Sequence, residues 1–214
     1  MHKVFASFLA LAVFCKSTFV ENNLSYQNKN NDYEKMSMTG DLIFQTSFGR
    51  SQAHAIQVAT LSPYNHVGII SVENDGIFVY EASSRVTKVK IEKFIHRQDT
   101  KSRFVVYRHK NINDKNSKKV ISYAKKTLGK KYDTYLSWTD DKFYCSELAY
   151  KAYKHAGLGL EQPKKIKEMK FGLLISKIIP NGYERKKFNL NDSVVAPSHL
   201  SRDNNLVRVF QNWI

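Results

Sequence analysis

The chain has 214 residues, 42% hydrophobic and 13% aromatic, which suits one core-forming domain and excludes a disordered polypeptide. Lysine and arginine outnumber the acids 34 to 19, and the formal net charge of +15 favours anionic partners such as an envelope surface. No nucleic-acid-binding motif accompanies that charge, so nucleic acid is not an expected partner.

In chain order, Met1–Lys3 is a short basic start, Val4–Phe14 is apolar except for Ser7, and Lys16, Ser17 and Thr18 break the run. This is the pattern of a secretory signal peptide over residues 1–17. The run is too short to span a bilayer, which takes about 20 apolar residues. An exported protein, periplasmic or extracellular, is expected, and bulky Phe14 argues against lipid anchoring through Cys15. Residues 18–39, with Asn22, Asn23, Asn28, Asn30 and Asn31, read as a flexible linker, and 40–214 as the folded domain.

Leu42–Phe44 is a short apolar strand, and Ser51–Leu61 reads as a helix stopped by Pro63. Val67–Val72 and Ile77–Ala82 form a hairpin across Glu73-Asn74-Asp75-Gly76. A short helix at Ile91–His96 and a strand at Arg103–Tyr107 follow. Asn116 or Ser117 is placed to cap a helix with Val120, Ile121, Ala124 and Leu128 on one face and Gly129 after its end. A second helix starts at or just before Cys145, buries Leu148, Ala149, Ala152, Tyr153 and Ala156, and stops at Gly157. Phe171–Ile179 is apolar, and Leu206–Phe210 is a last strand. Without regular strand–helix–strand alternation these elements predict an α+β domain, its antiparallel sheet packed against helices. Lysine pairs such as Lys118-Lys119 and Lys125-Lys126 fall on solvent faces of helices.

With Cys15 removed in the signal, Cys145 is a lone thiol without a disulfide partner. In Phe143-Tyr144-Cys145-Ser146-Glu147-Leu148 it opens a helix, where the dipole and free N–H groups favour a thiolate; elsewhere it would be an ordinary buried cysteine. His66 begins the first hairpin strand and Glu81 ends the second. A hairpin pairing Val72 with Ile77 sets Gly68 opposite Glu81 and makes Glu81 the diagonal neighbour of His66 on one face, within side-chain reach. Glu81 can then orient the imidazole, and His66 can take the proton of Cys145. The other six histidines show no metal spacing, and neither a metal nor a cofactor is expected. Gly49-Arg50-Ser51-Gln52-Ala53 is a near miss to a serine nucleophile elbow, with Ala in its last position; otherwise Ser51 caps a helix.

Four ordered motifs, GDLIFQTS (40–47), NHVGII (65–70), VYEA (79–82) and GKKYDTYLSW…FYCSEL (129–148), resemble the permuted papain-like cysteine hydrolases of the NlpC superfamily, the YiiX/YebB-like group. The histidine precedes the cysteine, as in the permuted branch, and a weaker echo lies at Val195–Leu200. The resemblance implies a circularly permuted papain-like fold, with Cys145 as nucleophile, His66 as base and Glu81 as orienting residue. It implies Tyr132, with Tyr144, as substrate or oxyanion residues; Lys131 departs from the proline that relatives carry before that tyrosine. The expected protein is an exported cysteine hydrolase that cleaves an amide or ester through a Cys145 acyl-enzyme, on a cell-envelope peptide or acyl lipid. The alternative is a basic exported module that binds an anionic envelope surface without turnover. An exposed low-pKa thiol also predicts activity that depends on reducing conditions.

Overall fold

Leu42–Thr46 (β1) is buried along its whole length, which a strand achieves only in the middle of a sheet with both faces covered. In this computed structural model, which describes residues 32–46, 62–97, 103–168 and 191–213, β1 pairs antiparallel with two partners. On one side lies β2 (His66–Glu73), followed outward by β3 (Gly76–Ala82) and β4 (Val86–Lys90). On the other lies β5 (Arg103–His109), with β10 (Leu206–Gln211) at the edge. The result is a six-stranded antiparallel sheet, the α+β arrangement read from the sequence.

The hairpin keeps the expected register, Val72 opposite Ile77. One further pair, Glu73 with Gly76, extends the ladder, so the turn is Asn74-Asp75 and not a four-residue loop. Gly76 takes φ +134°, a conformation side chains disfavour.

Helices α2 (Asp114–Lys126) and α3 (Cys145–His155) pack on one sheet face, burying Val120, Ala124, Leu148, Ala149 and Ala152 against Leu42, Phe44, Val67, Ile69 and Tyr80. The cap of α2 differs from expectation. Asn113, not Asn116 or Ser117, accepts the N–H groups of Lys115 and Asn116 at 3.0 and 3.1 Å, and Asn116 returns its side-chain oxygen to the N–H of Asn113. Leu128, expected on the apolar face, is 43% exposed, because the helix ends at Lys126 and Thr127 turns back to the carbonyl of Ala124. Helix α3 closes as expected: Gly157 (φ +76°) donates to Lys154 O and Leu158 to Tyr153 O, a Schellman motif.

The short helix α1 (Ile91–Ile95) covers the other face, with Ile91 and Phe94 fully buried. Gly68 permits this: a Cβ there would lie 2.3 Å from Val79 and 3.2 Å from the Phe94 ring. Smaller pieces complete the body: ribbons β6 (Lys131–Tyr132) with β7 (Lys142–Phe143) and β8 (Lys164–Lys165) with β9 (Ser193–Val194), and helix α4 (Pro197–Ser201). Residues 32–36 are helical and belong to a separate unit that ends at Met36. Among the described residues no helix is long and apolar enough to cross a membrane. The expected signal, the Ser51–Leu61 helix, the Ser51 elbow and the Phe171–Ile179 run lie outside the described residues.

Candidate active site

Cys145 is the first residue of α3. Tyr144 precedes it in extended conformation as the cap residue, and Glu147, at the third helical position, accepts the Tyr144 N–H at 3.3 Å. The sulfur therefore lies where helix N–H groups point outward and negative charge is favoured. The side chain is only 5% exposed, not the open thiol expected from sequence.

His66 starts β2, paired with Gln45 of β1, at the end of the sheet. Its Nε2 lies 2.6 Å from Glu81 Oε2, which fixes the tautomer: Nε2 carries the proton to the carboxylate, and Nδ1 keeps its lone pair. Its ring stacks on Phe94 with centroids 5.4 Å apart. The Cys145 thiol lies within interaction range of His66. Burial pushes that thiol up; the hydrogen bond and charge of His66, with backbone contacts from Val67 and Ser146, outweigh it and hold the thiol below its ordinary value.

Glu81 has no exposed surface and sits between two donors, the His66 imidazole and the Arg97 guanidinium. Its Oε2 accepts from Arg97 Nη1 at 2.6 Å as well as from His66, and its Oε1 accepts from Arg97 Nη2. Sequence reasoning missed Arg97, which follows α1 and carries no periodic signal. It also passed over Gln45, within the GDLIFQTS motif, whose amide donates to the Phe94 and Ile95 carbonyls at 3.1 and 3.2 Å. These are end carbonyls of α1 without helical partners, so Gln45 anchors the helix that stacks on His66 and leads to Arg97.

The two tyrosines expected at the site divide. Tyr132 is half-buried beside the nucleophile, its hydroxyl pushed far above the ordinary range by burial first and by the nearby Cys145, Asp133 and Glu147 charges second. Tyr144 turns its hydroxyl to the tail, where it accepts the Val195 N–H at 3.1 Å. Ser146 donates to the Val195 carbonyl at 2.7 Å. The Val195–Leu200 echo is thus a clamp across the start of α3. Asp133, wholly buried, gathers the loop between Tyr132 and Cys145: it accepts Tyr135 N at 3.0 Å, Ser137 N at 2.7 Å and Ser137 Oγ at 2.8 Å. Leu136 and Trp138 in that loop both have φ +56°, a strained backbone of the kind concentrated at functional sites.

A buried thiol on a helix start, beside an imidazole that a carboxylate holds, is an arrangement for nucleophilic attack on a carbonyl. The profile of the permuted papain-like amidase enzymes, YaeF/YiiX, C92 family, matches residues 37–210. The chain belongs to this family. It is accordingly a cysteine hydrolase-type enzyme with the permuted papain-like fold. The uncharacterised protein YiiX of Escherichia coli K12 is 35% identical over 179 residues, 82% of this chain and 87% of YiiX. The crystal structure described as metalloprotein YiiX from Escherichia coli O157:H7 superposes with a TM-score of 0.74 at 34% identity, covering 84% of this chain and 99% of that one. That relative is described as a metalloprotein. Among the described residues here, no three His, Cys, Asp or Glu side chains converge as metal ligands, and Glu81 already spends both oxygens on His66 and Arg97. No step of the chemistry below runs through a metal.

Proposed function

We propose that the protein is an exported amidase or esterase in which Cys145 is the nucleophile, His66 the general base and acid, and Glu81 the residue that orients the imidazole. The observation that carries this reading is the Cys145 thiol at the start of α3 beside a His66 imidazole that Glu81 holds. His66 Nδ1 takes the thiol proton, and the thiolate attacks the carbonyl carbon. The backbone N–H of Cys145 and the Tyr132 hydroxyl are the donors assigned to the oxyanion. Collapse of the tetrahedral adduct expels the amine or alcohol, which receives the proton from His66 and leaves an acyl-enzyme. Water activated by His66 then releases the acid and regenerates the thiol. The substrate is a cell-envelope peptide or an acyl lipid.

The test is the rate of iodoacetamide alkylation of Cys145 against pH, in wild type and in His66→Ala. A profile shifted below the ordinary thiol value of about 8.5, with the shift lost in the variant, supports the pair. An unshifted, slow profile in both proteins would make Cys145 structural. The reading as an envelope-binding module without turnover would then lead.

A further inference from the structure

The ribbon that leads into the nucleophile carries charge that its own stability does not explain. Lys131 of β6 pairs with Lys142 of β7, and Tyr132 with Phe143. On the other side, an antiparallel bridge sets Arg85 opposite Lys131. Directly paired residues project from the same face of a ladder. Arg85, Lys131 and Lys142 therefore form one row, and Tyr132 and Phe143 another beneath it. The lower row faces inward, with Phe143 fully buried and Tyr132 packed on the core. In the upper row Arg85 and Lys131 are exposed and Lys142 is half-buried.

Like charges directly opposed destabilise a ladder. Among the described residues, none of these three cations forms an ion pair. Of the acids around the ribbon, Asp140 and Glu147 are spent on Lys151 and Asp133 on its own loop, while Asp141, exposed next to Lys142, forms no ion pair among the described residues. The row has apolar company. Leu128 is 43% exposed and adjoins it, because Gly129 N donates to Val86 O and Val86 N to Lys130 O. The ring of Tyr135 lies 5.9 Å from Lys142 Nζ. Cations flanked by an exposed leucine and a tyrosine make a surface suited to a lipid headgroup layer. The leucine adds nothing to the binding of a phosphate alone.

We propose that Arg85, Lys131 and Lys142 form a docking row for the phosphate headgroups of an anionic bilayer, with Leu128 at its edge, which brings the start of the Cys145 helix to the lipid surface. The purpose of the row rests on the hydrolase reading; its existence does not, and binding is read without turnover.

The experiment is co-sedimentation of the full chain with phosphatidylcholine vesicles, with and without phosphatidylglycerol, at low salt. Neutral vesicles report what the apolar N-terminus contributes. The Arg85→Gln/Lys131→Gln/Lys142→Gln triple is compared with Lys118→Gln/Lys119→Gln/Lys126→Gln on the exposed face of α2, each removing three positive charges. The row triple should lose phosphatidylglycerol-dependent binding by about a hundredfold, and the α2 triple by only a few-fold. Soluble glycerol phosphate should not compete. Should the row triple fail to fold, Lys131→Glu alone, at an exposed position, should still weaken binding more than Lys118→Glu. Equal losses in the two triples, no dependence on phosphatidylglycerol, or displacement by dilute glycerol phosphate would each overturn the proposal. Cys145→Ser should bind like wild type, so an absence of hydrolysis and an absence of docking are distinguishable.

Discussion

Glu81 meets the His66 and Arg97 donors with two oxygens in a place water does not reach. Gln would present an amide N–H₂ to one of those donors. Glu81→Gln is expected to fold and to lose about 10²–10⁴ in kcat, the scale on which a misoriented imidazole costs turnover; steady-state rates on an ester substrate check this. Arg97 is a positioning residue, acting through Glu81. Arg97→Met should lower kcat less than Glu81→Gln and shift the alkylation pH profile of Cys145, with partial rescue by Arg97→Lys. A variant that lost rate with an unmoved profile would make Arg97 merely structural. His66→Ala has a sign of its own. Without the imidazole, burial is opposed only by the backbone contacts from Val67 and Ser146, so the thiol's titration should move upward.

At the scale of elements, the decisive object is the first turn of α3. It is fixed from below by Glu147 to Tyr144 N, and from the tail by Tyr144 and Ser146 to Val195. Glu147 is buried, and that burial raises its carboxyl to about 7, while Lys151 at 2.8 Å draws it down. A carboxyl whose folded value lies above its unfolded value of 4.5 binds more protons folded than unfolded between those two limits. Its contribution to stability is therefore present at low pH and lost as pH rises from about 4.5 to 7. The loss is about 3 kcal/mol. Glu147→Gln cannot ionise, so its melting temperature relative to wild type should climb between pH 5 and pH 8. Thermal denaturation across that range is the check, and a pH-independent difference would refute the assignment. The clamp also means that cutting the tail contact, as in Ser146→Ala, should disturb the nucleophile while leaving the sheet intact.

For the whole molecule, Asp41 ties the start of β1 to β5. It is wholly buried, accepts Arg108 Nε at 2.9 Å and Nη2 at 2.8 Å, and also accepts the Met38 N–H at 2.8 Å. Breaking a fully buried pair costs about 3–5 kcal/mol. Arg108 is a quarter exposed and can rehydrate, so about 2 kcal/mol is expected for Asp41→Ala. In a chain of this size that lowers Tm by about 4–8 °C, and Asp41→Asn should cost less because it keeps the Met38 contact.

Local physics wrote much of this protein into its sequence. Alternating and continuous apolar runs specified β1, β2, β3 and β10, because a strand's burial depends on its own side-chain period. The hairpin register followed from turn chemistry, and with it the shared face of His66 and Glu81, since pairing parity leaves no freedom once one pair is set. The helix start at Cys145 and its glycine stop were equally local. Caps were less secure: Asn113 outcompeted Asn116 because the helix began one turn earlier, and Leu128 fell outside the apolar face because Thr127 ended the helix first. Arg97, Gln45 and the Val195 clamp had no local signature. Their roles depend on partners tens of residues away, joined only when α1 covers one sheet face and the tail crosses α3. The cationic row belongs with them. Arg85, Lys131 and Lys142 are scattered basic residues in the chain, and they become neighbours because three separate backbone segments pair side by side.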